Sequence, residues 1–144
     1  MIRRFSLAAL AALLLVGCAN PQQPPKDDSL YRELGEKPGI TRIVEGMLLI
    51  TARDQRISHF FAKVDIAGLR DKLVDQFCVQ AGGPCVYKGD SMEEGHKGQN
   101  LTPSDFNALV ENLQASMEAE GVPTPAQNRL LARLAAMRGQ VIDR

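Results

Sequence analysis

The sequence predicts one small all-α domain, and three observations carry that prediction. No segment alternates apolar and polar residues like a strand over a useful length. Four stretches repeat apolar residues at steps of three and four, the period of a helix with one buried face. Two of those stretches open on the same signal, Thr102-Pro103 and Thr124-Pro125, a capping threonine with proline at the first helical position. At 144 residues the chain is one domain at most, long enough for a real core.

The chain opens on a segment that reads as targeting rather than fold. Met1 to Arg4 is short and basic, and Phe5 to Val16 is a 12-residue apolar run, too short to span a bilayer as a permanent helix. A basic start, a short apolar run and small residues before a cut site make a secretory signal. Here Leu15-Val16-Gly17 is followed at once by Cys18, the arrangement that bacterial lipoprotein signals share. The expected organisation is a lipoprotein signal peptide at 1–17, a lipidated Cys18 and flexible tether at 18–28, and a folded domain at 29–144. The tether is proline-rich (Pro21, Pro24, Pro25) and without periodicity. An ordinary signal peptide with an incidental cysteine is the alternative. The residue after Cys18 is Ala19, not the aspartate of an inner-membrane retention signal. The expected location is therefore the cell envelope, outside the cytoplasm, on an outer membrane facing the periplasm where the cell has one.

Without Arg3 and Arg4 the 17 basic residues fall to 15 against 17 acidic ones, a net charge of −2. That balance offers no concentrated basic face, so nucleic acid is not an expected partner.

The elements follow in order. Ser29 is a candidate cap for a short helix through Leu34, ended by Gly35. Pro38 can open a second helix with Ile40, Ile43, Val44, Met47 and Leu48 on one face. A turn at Asp54-Gln55-Arg56 leads through His59 into the aromatic pair Phe60-Phe61. Asp65 caps a third helix with Ile66, Leu69, Leu73 and Phe77 at helical steps, stopping at Gly82-Gly83-Pro84. Ser91 and Glu94 have capping-box spacing, which puts His96 on a short helix. The helix after Thr102 buries Phe106, Leu109, Val110, Leu113 and Met117 and ends at Gly121. The helix after Thr124 buries Leu130, Leu131, Leu134 and Val141.

Lipidation would use Cys18 and leave Cys78 and Cys85, an even remainder that reads as a disulfide in an oxidising compartment. The bridge would close an eight-residue loop around Gly82-Gly83-Pro84. In the chain-entropy model it would contribute roughly 2.5 kcal/mol. A redox-active or metal-binding pair is the alternative, although the spacing fits neither CxxC nor a zinc knuckle. Nucleophile or paired-carboxylate constellations do not appear: there is no serine-elbow motif, and His59 and His96 are the only histidines.

From Ser29 to Val141 the chain resembles the group I truncated haemoglobins, in which two helix pairs sandwich a haem (the 2-on-2 globin fold). The resemblance rests on Phe60-Phe61, Gly82-Gly83, Tyr87 with Gly89, Met92, the run Gly95-His96-Lys97-Gly98, and Leu101-Thr102 leading to Phe106. No single piece is strong, but their order and spacing run without a gap. Residue chemistry alone would not have reached a haem, because one axial imidazole leaves no clustered ligand motif. On that basis either histidine is more often an ordinary surface or packed residue.

The resemblance implies one haem b per chain, with His96 as the proximal iron ligand and its second ring nitrogen donating to a backbone carbonyl or water. Phe61 matches the aromatic on the porphyrin face and Phe77 one lining the inner pocket. Met92, Leu101, Phe106 and Leu109 fall where haem-packing residues lie. Arg70 and Lys72 are candidates for pairing with the propionates, the alternative being a solvated helix face. Lys72 also falls where some relatives place an internal sixth ligand, a role open to lysine only when deprotonated. His59 has no ligand role in the family pattern.

Departures from that pattern bear on mechanism. Leu48 stands where family members usually carry a tyrosine that donates a hydrogen bond to bound O₂, and Leu69 and Leu73 stand where glutamine is often found. A well-placed donor stabilises that ligand by about 1–3 kcal/mol, so its loss implies roughly 5- to 150-fold weaker relative O₂ retention. The expectation is a protein that binds a diatomic gas (O₂, NO or CO) in an apolar distal pocket, with Gln76 or a water as the remaining candidate donor. Such a pocket disfavours NO dioxygenation, and the reductant is unspecified. The alternatives are an extracytoplasmic electron-transfer or haem-relay protein on the same fold, and an envelope lipoprotein that has lost haem.

Overall fold

Capping chemistry sets where three of the helices begin. In this computed structural model, which describes residues 27–144, the chain forms α1 (Ser29–Glu33), α2 (Glu36–Thr51), α3 (Ile66–Gln80), α4 (Met92–His96), α5 (Pro103–Ala119) and α6 (Thr124–Ala135). Two 3₁₀ turns, Ser58–Phe61 and Arg138–Gln140, complete the element order, and no strand occurs among the described residues. The expected signal peptide at 1–17 and Cys18 lie outside the described residues, and only Asp27 and Asp28 of the expected tether fall within them.

Asp65 Oδ1 accepts from the Gly68 amide at 3.2 Å and starts α3. Ser91 and Glu94 form a reciprocal capping box at the head of α4, with bonds of 3.2 and 3.3 Å. Thr102 and Asp105 do the same for α5, at 3.2 and 2.8 Å. Elsewhere the starts differ from those the sequence suggests. Helix α1 already includes Ser29, with Asp28 at the cap position. Helix α2 begins two residues before Pro38, because a proline within the first turn removes an N–H that has no intrahelical partner there. Pro123, not Thr124, precedes α6, and no side chain caps it. Val141 is buried but lies past the second 3₁₀ turn, since α6 ends at Ala135.

Helix α2 is the hub, packing on α5 and α3, while α6 closes against α1, α3 and α5. The four longer helices thus form two layers, α2 with α3 and α5 with α6. Their inner faces supply the core: Ile40, Ile43, Val44 and Met47 from α2, Val74, Phe77 and Cys78 from α3, Leu113 and Met117 from α5, and Leu130 from α6. Each large apolar side chain buried in this way contributes about 1.5–3 kcal/mol relative to exposure.

The α2–α5 crossing is close because Gly46 meets Ser116 there, where a Cβ on residue 46 would collide with Ser116 Oγ. That hydroxyl is satisfied by donating to the Ile43 carbonyl at 2.7 Å. At the end of the same crossing, buried Asn112 donates to Thr51 Oγ1 at 3.2 Å and Asp54 Oδ2 at 3.1 Å, tying the turn after α2 to α5.

Past the end of α3 the chain turns at Gly82 (φ +86°), a left-handed residue packed against the Asp27 carbonyl. Cys78 and Cys85 are disulfide-bonded across this turn, with Cα atoms 5.9 Å apart. The bridge joins the last turns of α3 to the strap that leads to α4. Further along that strap, Tyr87 donates from its hydroxyl to the Asp90 carbonyl at 2.7 Å.

Candidate functional site

Between the two helix layers lies a slot of about 320 Å³, walled by α2, α3, α4, α5, the Ser58–Phe61 turn and residues at the end of α6. Its lining is dominated by side chains that the fold leaves half-buried: Leu48 from α2, Phe60 and Phe61 from the turn, Leu69 and Leu73 from α3, and Phe106 and Leu109 from α5. Apolar groups left half-exposed around a common concavity mark a surface built to be covered by an apolar ligand.

Helical phase explains the assembly. On α3 the residues 69, 72, 73 and 76 recur at three and four, so Leu69, Lys72, Leu73 and Gln76 fall on the slot side while Val74 and Cys78 enter the core. On α5 the same spacing turns Phe106, Leu109 and Val110 to the slot. Leu48, one residue beyond buried Met47, sits at its edge.

Of the residues singled out from the sequence, Leu48, Phe61, Leu69, Lys72, Leu73, Phe77, Met92, His96, Leu101, Phe106 and Leu109 all line this slot. Arg70 does not. Its guanidinium reaches Glu45 at 3.3 Å and Asp71 at 2.8 Å in a separate groove between α2 and α3. The helix turns residue 70 roughly 100° from Leu69, which puts Arg70 on that groove and not on the slot. Lys72 is exposed and lines the slot, and no carboxylate among the described residues lies within ion-pair distance of its ammonium. His59 is exposed and stacks on Phe60 with ring centroids 4.1 Å apart.

His96 is the last residue of α4, half-buried on the slot wall. Its Nδ1 lies 2.7 Å from the Met92 carbonyl. A carbonyl only accepts, so Nδ1 carries the proton and Nε2 keeps its lone pair. An imidazole held in that tautomer is prepared to ligate a metal through Nε2. Among the described residues no three His, Cys, Asp or Glu side chains cluster as a metal cage. One oriented imidazole in an apolar slot is a donor set that fits a porphyrin-held iron, in which the macrocycle supplies the other ligands.

The polar groups around the slot are few and mostly engaged. Asp105 faces it while capping α5, and the Thr102 amide and hydroxyl hold its carboxyl below the usual range. Burial, then the nearby Asp90 carboxylate, push the Tyr87 phenol up. Gln76, only 7% exposed, donates from Nε2 to Met92 Sδ at 3.0 Å.

Sequence reasoning missed the contribution of Leu134, Met137 and Val141, which close the slot from the end of α6 and beyond it. Their spacing of three and four is a usable signal, but two of the three lie past Ala135, where α6 ends. Ile57 and Val64, which flank the aromatic pair, also line the slot.

The family described as bacterial-like globin matches residues 29–143. A group 1 truncated haemoglobin of Tetrahymena pyriformis is 34% identical over 97 residues, covering 67% of this chain and 80% of that protein. The group 1 truncated haemoglobin GlbN of Synechocystis sp. is 33% identical over 115 residues, covering 77% of this chain and 90% of its own. Among solved structures, the truncated haemoglobin of Tetrahymena pyriformis in its Fe(III) form superposes with a TM-score of 0.78 at 30% identity, covering 80% of this chain and 98% of that one. The 2/2 haemoglobin of Synechococcus sp., solved in the cyanomet state with covalently attached haem, gives 0.74 at 25% identity, with coverage of 80% and 98%.

Proposed function

Because the chain belongs to the bacterial-like globin family, whose members hold haem, we propose that it binds one haem b per chain through His96 and takes a diatomic gas in an apolar distal pocket. The observation that carries this reading is the His96 imidazole, its Nδ1 proton given to the Met92 carbonyl at 2.7 Å, set on the wall of an apolar slot of about 320 Å³. When bound, the haem iron supplies an open coordination position for O₂, NO or CO.

The chain's own residues then do three things. Phe61, Phe77, Phe106, Leu101, Leu109 and Met92 cover the macrocycle and exclude water from it. Lys72, without a carboxylate partner among the described residues, is the cation for a propionate. Leu48, Leu69 and Leu73 occupy the distal side without offering a hydrogen-bond donor. Gln76, a buried amide that lines the same slot, gives one of its two N–H donors to Met92 Sδ at 3.0 Å. A pocket of that kind releases O₂ readily and discriminates little against CO and NO, because only O₂ depends strongly on a donor. It also makes NO dioxygenation inefficient.

The second reading, electron transfer or haem relay, is favoured by one feature. Lys72 lines the slot, and a deprotonated lysine at that place would be able to act as an internal ligand to a bound haem iron. Location in the cell envelope through lipidated Cys18 completes the proposal and rests on the Leu15-Val16-Gly17-Cys18 signal. Incorporation of a radiolabelled fatty acid that is lost in Cys18→Ser tests the anchor.

The absorption spectrum of the purified chain, produced with haem available, tests the central claim beside its His96→Ala variant. A Soret band lost or shifted in the variant is expected. Absence of haem from the wild-type chain would overturn the reading and leave a globin fold without its cofactor.

A further inference from the structure

Helix α4 carries His96 yet has only five residues, fewer than a free helix needs to persist in water. Three of them, Glu93, Glu94 and Gly95, are exposed, so its position depends on what holds the other two. Glu93 reaches only Arg144, in a solvent-exposed pair at 3.6 Å, and such a pair contributes little. Helix α4 also packs on the Arg138–Gln140 turn, and Met92 supplies its side-chain link to α3. The Met92 carbonyl accepts from His96 Nδ1 at 2.7 Å, and the Met92 sulfur accepts from Gln76 Nε2 at 3.0 Å.

Gln76 lies on the same face of α3 as Leu69, Lys72 and Leu73, and is 7% exposed. It stands two residues before Cys78, which the disulfide ties to the strap leading to α4. The amide is therefore a rigidly based group on α3 that gives one of its two N–H donors to a residue of α4.

We propose that Gln76 is a positioning residue for the proximal histidine: acting through Met92, it fixes α4 and hence the orientation of the His96 imidazole, rather than serving as a donor to the distal ligand. The inference rests on His96 as the iron ligand for its meaning, though not for its geometry. The contact makes α3 and α4 move as one body, so a displacement of the distal helix reaches the iron ligand without passing through the haem.

The test is a double-mutant cycle on the full chain with Gln76→Leu, Met92→Leu and both. Leucine keeps the apolar volume and removes the donor or the sulfur acceptor, and circular dichroism checks that each variant folds. Two readouts are compared: the iron–histidine stretching frequency of the ferrous haem form, and the imidazole ¹⁵N shifts of His96 in the haem-free chain. Gln76→Leu is expected to lower or broaden the stretching band, mix the two imidazole tautomers, and speed haem loss about 2- to 10-fold. In the Met92→Leu background the same substitution is expected to do nothing further. Equal effects of Gln76→Leu in both backgrounds would overturn the proposal. So would faster O₂ release with unchanged stretching band and imidazole shifts, which would make Gln76 a distal donor. If the wild-type chain takes up no haem, the iron-ligand reading fails, while the imidazole shifts still decide whether Gln76 orients His96.

Discussion

Replacing Leu48 with tyrosine puts the distal-pocket reasoning to its hardest test. Leu48 lines the slot from α2 and is half-buried, one residue past fully buried Met47. A longer side chain there can extend into the slot of about 320 Å³ instead of displacing the core. Leu69 and Leu73 line the same slot, and neither can compete for the phenol proton. With haem and O₂ bound, the new hydroxyl would be able to donate to the partly negative outer atom of O₂. A hydrogen bond of that kind contributes about 1–3 kcal/mol, which converts to roughly 5- to 150-fold slower O₂ dissociation. CO dissociation should change far less. Stopped-flow displacement of O₂ by CO, in wild type and Leu48→Tyr, gives both numbers. Wild-type release already as slow as the variant's would refute the reasoning, since some other group would then be donating.

Three further outcomes concern stability. Gly46→Ala should destabilise the chain by about 1–3 kcal/mol in urea unfolding, because its methyl meets Ser116 Oγ at the α2–α5 crossing; Gly46→Ala with Ser116→Ala should recover part of that. Removing the bridge with Cys78→Ala and Cys85→Ala should cost roughly 2.5 kcal/mol and abolish the effect of reductant on the unfolding midpoint. Arg56, then Asn112, hold the Asp54 carboxyl below its ordinary value of 3.8. The lowered folded value means that its stabilisation is complete above about pH 4 and is lost as pH falls further. Asp54→Asn should therefore be less stable than wild type at neutral pH, and the difference should shrink as the solution is acidified below 3.8.

Much of this molecule was legible before any coordinates. Start signals are local chemistry, so Asp65, the Ser91/Glu94 box and the Thr102/Asp105 box marked three helices that the structure begins at the same places. Helical period placed Ile40, Ile43, Val44 and Met47 on one buried face for the same reason. Where local chemistry was ambiguous, the boundary moved: Pro38 sits inside the first turn of α2, and Thr124 follows the cap position. Eleven residues that line the slot were also named in advance, most of them from the family resemblance and not from their spacing.

The sequence by itself determined the all-helical class and the starts of α3, α4 and α5, and the family resemblance singled out His96 as the candidate iron ligand. Those depend on interactions within four residues or on a pattern shared with relatives. Only the tertiary structure decided which neighbours on a helix face the slot. Arg70 and Lys72 are two residues apart and chemically alike, yet the rotation of α3 sends one to Glu45 on α2 and the other to the slot. It also brought Gln76 to Met92, 16 positions along the chain, and added Leu134, Met137 and Val141 as a wall. Contacts between residues far apart in the chain depend on how helices cross, and no local signal in either partner records the other.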